Sequence, residues 1–187
     1  MYTWFRFTHM LATAKSRGPF HAGDASRFSF RCLPTDIDFN GHMNNARYLA
    51  LADIGRIDIF ARTGMLKLRR TKGWAPMMGG VQAVYLREIR LWKKFEVITT
   101  IETWEGNQVI GQHRFVFEDG TTAAILMTTA GIYDLRGRRF IPFDEVMQAT
   151  GVFGTRREPT EAERAFMASH AAIRTMGKSS AGDLLSR

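Results

Sequence analysis

The residues best equipped for chemistry lie in one short stretch, Asp36-Ile37-Asp38-Phe39-Asn40-Gly41-His42-Met43-Asn44-Asn45-Ala46-Arg47-Tyr48. Two carboxylates, three carboxamides and an imidazole fall between Asp36 and Asn45. A carboxylate can act as general base or nucleophile, an imidazole can move a proton, and carboxamides can orient either. A helical pattern follows at once: Ala46, Leu49, Ala50, Asp53, Ile54, Ile57, Asp58 and Ala61 recur at spacings of three and four. Asn44 or Asn45 is a good N-cap for that helix. The polar loop thus delivers its side chains to a helix N-terminus, where free N–H groups and the macrodipole favour negative charge. The stretch reads as an active site. A plain turn and cap would account for Gly41 and for the capping asparagine. It leaves the alternation of Asp38, Asn40 and His42 just before the cap unexplained.

Rival chemistries fit less well. Asp36-x-Asp38-x-Asn40-Gly41 matches the opening of an EF-hand loop, but the position that needs a bidentate Glu is Arg47 and the preceding segment reads as a strand. Asp36, Asp38 and His42 have no companion cluster at ligand spacing, so no metal is expected. Gly177-Lys178-Ser179-Ser180-Ala181 fails the nucleophile-elbow pattern at its last position, and no dinucleotide fingerprint or P-loop is present. Cys32 sits in a strand pattern and is expected to be a buried structural thiol. His113 alternates along a strand as an ordinary histidine, and His9, His21 and His170 lie in extensions.

Three units are expected: an N-terminal arm over 1–25, a main domain over 26–140 and a helical extension over 141–187. The first eleven residues are aromatic and suit a short docked helix, and Lys15 to Asp24 reads as a linker. Phe28 to Leu33 alternates like a strand and stops at Pro34. The long helix should run to about Arg62, closed by Gly64, and Met65 to Trp74 should be irregular. Val81–Leu91, Phe95–Trp104, Val109–Phe117 and Thr121–Tyr133 read as strands, with turns at Glu105-Gly106-Asn107 and Glu118-Asp119-Gly120. Taken as consecutive hairpins, they make a four-strand antiparallel meander covered by the helix, an α+β fold. Pro142 to Thr150 suits a short helix ending at Gly151. Thr160 to Met176 suits another, with Thr160 and Glu163 as a capping box and Ser179 to Arg187 frayed.

The chain carries a formal net charge of +8, spread in small clusters such as Lys67-Leu68-Arg69-Arg70 and Lys93-Lys94. Without a nucleic-acid reading motif, this charge suits phosphates on a small carrier better than DNA or RNA. No run of about 20 apolar residues suggests a membrane span, and residues 1–11 lack the features of a secretory signal. The lone cysteine suits a reducing compartment, so a cytoplasmic protein is expected. Sheet edges left bare in a monomer point to a homodimer, or to a dimer of dimers.

The pattern Asp-x-Asp-x-Asn-x-His-x-Asn-Asn-x-x-Tyr over Asp36 to Tyr48 resembles the catalytic loop of hotdog-fold thioesterases. It is especially similar to that of plant acyl-carrier-protein thioesterases, and it is similar to the loop of the 4-hydroxybenzoyl-CoA thioesterase family. Over a longer stretch, about residues 28 to 135, the chain is similar to the thioesterase superfamily member 6 group. That group shares His42 to Leu49 and a stretch like Tyr85 to Leu91. The resemblance implies a curved antiparallel sheet around one central helix, paired subunits, and hydrolysis of an acyl thioester of CoA or acyl carrier protein without metal or cofactor. It implies Asp38 as general base or nucleophile, Asn40 and His42 as orienting groups, and backbone N–H groups around Asn44 and Asn45 as the oxyanion hole. Gly41 and Tyr48 would contact substrate. Asp36, following Thr35 at the end of a strand, is by its position the better candidate for a structural turn. Some relatives bring a further acid; here Asp53, Asp58, Gln82 and Glu88 are the loosely aligned positions. Two alternatives remain: an enoyl-CoA hydratase of the same fold, which the Asp38-to-His42 spacing and Gly41 in place of Pro disfavour, and a non-catalytic acyl-binding protein.

Overall fold

In the computed structural model, backbone is described for residues 2–184 and side chains for 4–177. The order is α1 (Tyr2–Thr13), β1 (Ala25–Arg31), α2 (Asn45–Arg62), α3 (Met65–Lys72), β2 (Trp74–Tyr85), β3 (Lys94–Glu105), β4 (Gln108–Phe117), β5 (Thr122–Asp134), β6 (Arg139–Ile141), α4 (Phe143–Thr150) and α5 (Glu161–Leu184). The strands form one antiparallel sheet in the order β1-β3-β4-β5-β2, with β6 paired to β5. α2 lies on that sheet. Its Leu51, Ala52 and Ile54 share a core with Phe95, Val97, Phe115 and Leu126. Gly55 allows the close contact, because a Cβ there would collide with the Thr99 side chain of β3. A second core gathers Trp74, Trp104, Ile132, Ile141 and Phe143 beneath α4.

The expected four-strand meander is corrected. Only β3, β4 and β5 are joined by hairpins, while β2 crosses to pair with β5, Trp74 opposite Asp134 and Tyr85 opposite Ala124. The reason is visible in the chain: the two Gly-containing turns lie between β3, β4 and β5, and nothing of turn composition separates Tyr85 from Lys94. β2 also begins at Trp74 rather than Val81, running through Pro76, which an edge strand tolerates. It ends at Tyr85, so Leu86 to Leu91 is not strand. Met65 to Lys72, expected to be irregular, is a helix between Gly64 and Gly73, both left-handed (φ 76° and 77°). The segment read as a linker is packed: Phe20 is buried and Arg17 is tied to α2. α5 continues to Leu184, past its expected end at Met176 and through part of the tail expected to fray. Residues 185–187 lie outside the described residues. The Thr160–Glu163 capping box is present, with Thr160 N–H donating to Glu163 Oε2 at 2.7 Å and Glu163 N–H to Thr160 Oγ1 at 3.3 Å.

Candidate active site

The polar loop folds as a miniature hairpin. Ile37 bridges Met43, Asp38 N–H donates to the His42 carbonyl at 3.1 Å, and Gly41 N–H donates to the Asp38 carbonyl at 3.1 Å. Gly41 closes the turn with φ 79°, a left-handed value that favours glycine. A Cβ at that position would meet no protein atom within 4 Å, so the backbone angle is what calls for glycine. Phe39, at the tip, is 97% exposed. The loop then docks on the segment after β2: His42 bridges Arg90, and Met43 N–H donates to the Ile89 carbonyl at 2.8 Å. The apolar residues of 86–91 suggested strand, but their backbone serves this loop instead.

Asn44 is the N-cap of α2, its Oδ1 accepting the Ala46 N–H at 2.9 Å and its carbonyl the Arg47 N–H at 2.9 Å. The Asn44 N–H is committed to the Asp36 carbonyl at 2.8 Å. This narrows the oxyanion donors expected around Asn44 and Asn45. Among the described residues, the Asn45 N–H alone of these first amides has no hydrogen-bond acceptor.

The two carboxylates differ in setting. Asp36 is 1% exposed, and its Oδ2 accepts from Arg6 Nη2 at 3.0 Å and from the Leu33 N–H at 3.1 Å. Its Oδ1 lies 3.8 Å from Arg47 Nε. This is the structural role expected of it. Asp38 accepts the Asn40 N–H on Oδ1 at 2.9 Å, and the same oxygen lies 4.0 Å from His42 Nδ1. Oδ2 of Asp38 has no hydrogen bond among the described residues.

The expected site residues are divided between two concavities. His42, Asn45 and Tyr48 line a cavity of about 780 Å³ with Tyr85, Arg87, Glu88, Arg90 and Lys93. Asp38 and Asn44 line a groove of about 500 Å³ with Thr35, Ile37, Arg47 and Ala50. The loop and the first turn of α2 contribute to both. Asn40 and Gly41 are exposed and line neither. Tyr48 is a buried wall residue, its ring 4.9 Å from both Tyr85 and Phe115. Burial pushes its hydroxyl up to about 12, with the Tyr85 phenol adding to that and a backbone hydrogen bond with Ile89 opposing it. The hydroxyl therefore stays protonated at neutral pH.

Of the loosely aligned acids, Asp58 is wholly buried and held by Arg17, Arg62 and Ser26, Asp53 pairs with Arg56 on the surface of α2, and Gln82 is exposed on β2. Only Glu88 reaches the larger cavity. Its carboxyl is held below its ordinary value by the hydrogen bond and charge of Arg90. Sequence reasoning counted Lys93 among the charge clusters suited to phosphates but missed Arg87 and Arg90, whose signal was that they interrupt the apolar run from Val81 to Leu91. Cys32 is buried, and desolvation aided by Asp36 raises its thiol to about 11, which leaves it unreactive. Among the described residues no group of three or more His, Cys, Asp or Glu could hold a metal ion. No described helix is long and apolar enough to cross a membrane.

The solved structures similar to this chain share its fold. The probable thioesterase YbaW from Escherichia coli superposes with a TM-score of 0.62 at 17% identity, covering 67% of this chain and 95% of that one. The Staphylococcus aureus protein SAV2348, solved in complex with CoA, does so with a TM-score of 0.61 at 20% identity, over 76% of this chain and 93% of that one. Both align at levels that show the hotdog fold. In sequence, the THEM6 protein of Xenopus laevis is 38% identical over 97 residues, 51% of this chain and 47% of its own length. The chain thus aligns with about half the length of the curated relatives it matches. The sequence pattern of the thioesterase-like superfamily matches residues 32–151, from just before the polar loop to the end of α4. A sheet curled about α2, a polar loop at the N-terminus of that helix and this match together place the chain in the thioesterase-like superfamily, with the hotdog fold.

Proposed function

We propose that the protein hydrolyses an acyl thioester, using Asp38 as general base or nucleophile and the N-terminus of α2 as oxyanion hole. The observation that carries this reading is that one short loop leaves two groups uncommitted among the described residues: Oδ2 of Asp38, on the groove, and the N–H of Asn45, on the larger cavity. The reading requires one thioester carbonyl to reach both. In the general-base form, Asp38 takes a proton from water as the hydroxyl adds to the thioester carbonyl carbon. Charge then grows on the carbonyl oxygen and is met by the Asn45 N–H and the helix dipole. Collapse expels the thiolate, which recovers the proton, and leaves a carboxylic acid. In the nucleophilic form, Asp38 attacks the same carbon, the C–S bond breaks and the thiolate leaves. Water then cleaves the acyl anhydride, giving the carboxylic acid, the free Asp38 carboxylate and a proton that the thiolate takes up. The loss of one oxyanion donor costs about 2.7–4 kcal/mol of barrier in other enzymes, so one free amide is a substantial resource. Neither form calls for a metal or bound cofactor.

His42 supports a second assignment within the same reaction. It lines the larger cavity, with Asp38 4.0 Å behind its Nδ1, so His42 could move the proton while Asp38 orients the ring. We favour a CoA ester over a carrier-protein ester, because Arg87, Arg90 and Lys93 line a concave cavity rather than a broad flat face. A CoA-bound relative of the same fold accords with this choice.

A second copy of the chain is part of the reading. Among the described residues β5 is the one strand paired with β2, whose Gly79 carbonyl also accepts from His170 Nε2 of α5 at 2.9 Å. The other edge of β2 carries no strand among the described residues, and Met77, Met78, Val81, Val84 and Tyr85 along β2 are exposed. A free edge with exposed apolar side chains suits pairing with another β2. The free, buried Cys32 suits the cytoplasm. Thiol release from a panel of acyl-CoA esters, with an aromatic disulfide reagent reading free CoA by thiol–disulfide exchange, tests the function. Released CoA supports hydrolysis; hydration of an enoyl-CoA would establish the hydratase, and binding without turnover would establish an acyl-binding protein.

A further inference from the structure

The helix α1 lies outside residues 32–151, yet it reaches into the loop that carries Asp38. Arg6 is 7% exposed. Its Nη2 donates to Asp36 Oδ2 at 3.0 Å and to the Arg31 carbonyl at 2.9 Å, with the guanidinium 5.0 Å from the centre of the Phe30 ring. Asp36 in turn accepts the Asn44 N–H on its backbone carbonyl at 2.8 Å, and Asn44 caps α2. Three residues therefore link α1 to the first turn of α2 in sequence: Arg6, Asp36, Asn44. The segment following α1 is fastened near the far end of α2. Arg17 Nη2 donates to Asp58 Oδ1 at 2.6 Å and to the Met10 carbonyl at 2.8 Å. α1 and its extension are a brace tied to both ends of the helix that presents the Asn45 N–H.

We infer that Arg6 is a positioning residue for the thioester hydrolysis proposed above: through Asp36 it fixes where Asn44 begins α2, and so where the Asn45 N–H stands relative to Asp38. The inference rests on that functional reading. A site of this kind depends on the groups that hold its reacting members, and a misplacement of about 1 Å can cost about 100-fold in rate. The planar guanidinium bonds a carboxylate and a carbonyl at once while lying over an aromatic ring, which a lysine ammonium reproduces only as a point charge.

The test compares Arg6→Ala, Arg6→Lys and Arg6→Gln with Arg17→Ala, which loosens the other attachment. It reads kcat and KM for CoA release, and amide hydrogen exchange at Asn44. Arg6→Ala should lower kcat by about 10–100-fold with KM within about threefold of the parent, and Arg6→Lys should fall between them. Exchange at the Asn44 amide should quicken at least about tenfold. Arg17→Ala should lower Tm and leave kcat within about threefold. If Arg6→Ala does not fold, Arg6→Gln takes its place and the same outcomes decide. A folded Arg6 variant with parental kcat and an equally protected Asn44 amide overturns the brace. If the parent releases no CoA from any ester, the functional reading fails instead, and the exchange of Asn44 alone decides whether Arg6 positions the loop.

Discussion

Replacing Asp58 with alanine removes the acceptor on which four hydrogen bonds converge in the interior of the protein. Its Oδ1 takes Arg17 Nε at 3.1 Å and Nη2 at 2.6 Å, and its Oδ2 takes Ser26 Oγ at 2.7 Å and Arg62 Nη1 at 3.2 Å. The carboxylate is wholly buried, while the Arg17 side chain is 23% exposed and Arg62 9%. Breaking a buried pair by removing one partner costs about 3–5 kcal/mol, because the remaining charge is left without compensation. Arg17 can regain some water and Arg62 keeps the Gly18 carbonyl at 2.8 Å, so the lower end, about 3 kcal/mol, is expected. For a chain of this length that corresponds to a fall in Tm of about 6–12 °C. Asp58→Asn, which keeps the shape and one acceptor oxygen, should fall between parent and alanine. Thermal and urea unfolding followed by circular dichroism would measure both, with the urea slope unchanged. Because Asp58 lies at the far end of α2 from the polar loop, CoA release by the folded variant should stay within about threefold of the parent. A fall in Tm below about 2 °C would show that the convergence on Asp58 contributes little, and would refute the reasoning.

His113 gives a pH signature. It is wholly buried between the hydroxyls of Thr99 (2.9 Å) and Thr128 (3.4 Å), and burial, helped by the charge of Arg56, lowers its pKa from 6.5 to about 3. The unfolded chain takes up this proton first as pH falls, so the contribution to stability is complete above about 6.5 and is lost progressively towards 3. Between pH 7 and 5 the parent should lose about 2 kcal/mol from this group, a loss absent from His113→Gln in urea titrations at the two pH values. Light scattering should give twice the monomer mass for the parent, and Val84→Lys on the open edge of β2 should shift it towards monomer; a monomeric parent at micromolar concentration contradicts the paired-sheet proposal.

What could be read from the sequence was local. The alternation in β1, a cap at Asn44 or Asn45, the Thr160–Glu163 box and the two glycine turns each depend on residues a few positions apart. The box and the turns are found where expected, the cap is Asn44, and β1 overlaps its expected span but runs Ala25–Arg31 rather than Phe28 to Leu33. The pairing of β2 with β5 joins residues some forty to sixty positions apart and carries no turn signal, so hairpin counting went astray. α3 escaped because Lys67, Arg69, Arg70 and Lys72 interrupt its apolar positions, leaving Met65 as its buried anchor. At the site, the motif was legible as a list of side chains but not as a geometry. The division of Asp38 and His42 between two concavities follows from the tight turn at Gly41, and the commitment of the Asn44 amide depends on the Asp36 carbonyl. Arg6 was hidden by distance alone, 30 residues from its carboxylate.

The central claim is that Asp38 performs the chemistry and Asp36 holds the loop. Replacing Asp38 with asparagine keeps its size and an acceptor for the Asn40 N–H but removes the base. CoA release should be compared for the parent, Asp38→Asn and Asp36→Asn on the best ester of the panel, with folding checked by circular dichroism and ester binding by calorimetry. Asp38→Asn should lose about 10²–10⁴-fold in kcat while it folds and binds the ester, whereas Asp36→Asn should show its main loss in stability. A folded Asp38→Asn protein that releases CoA at near the parental rate would contradict the account.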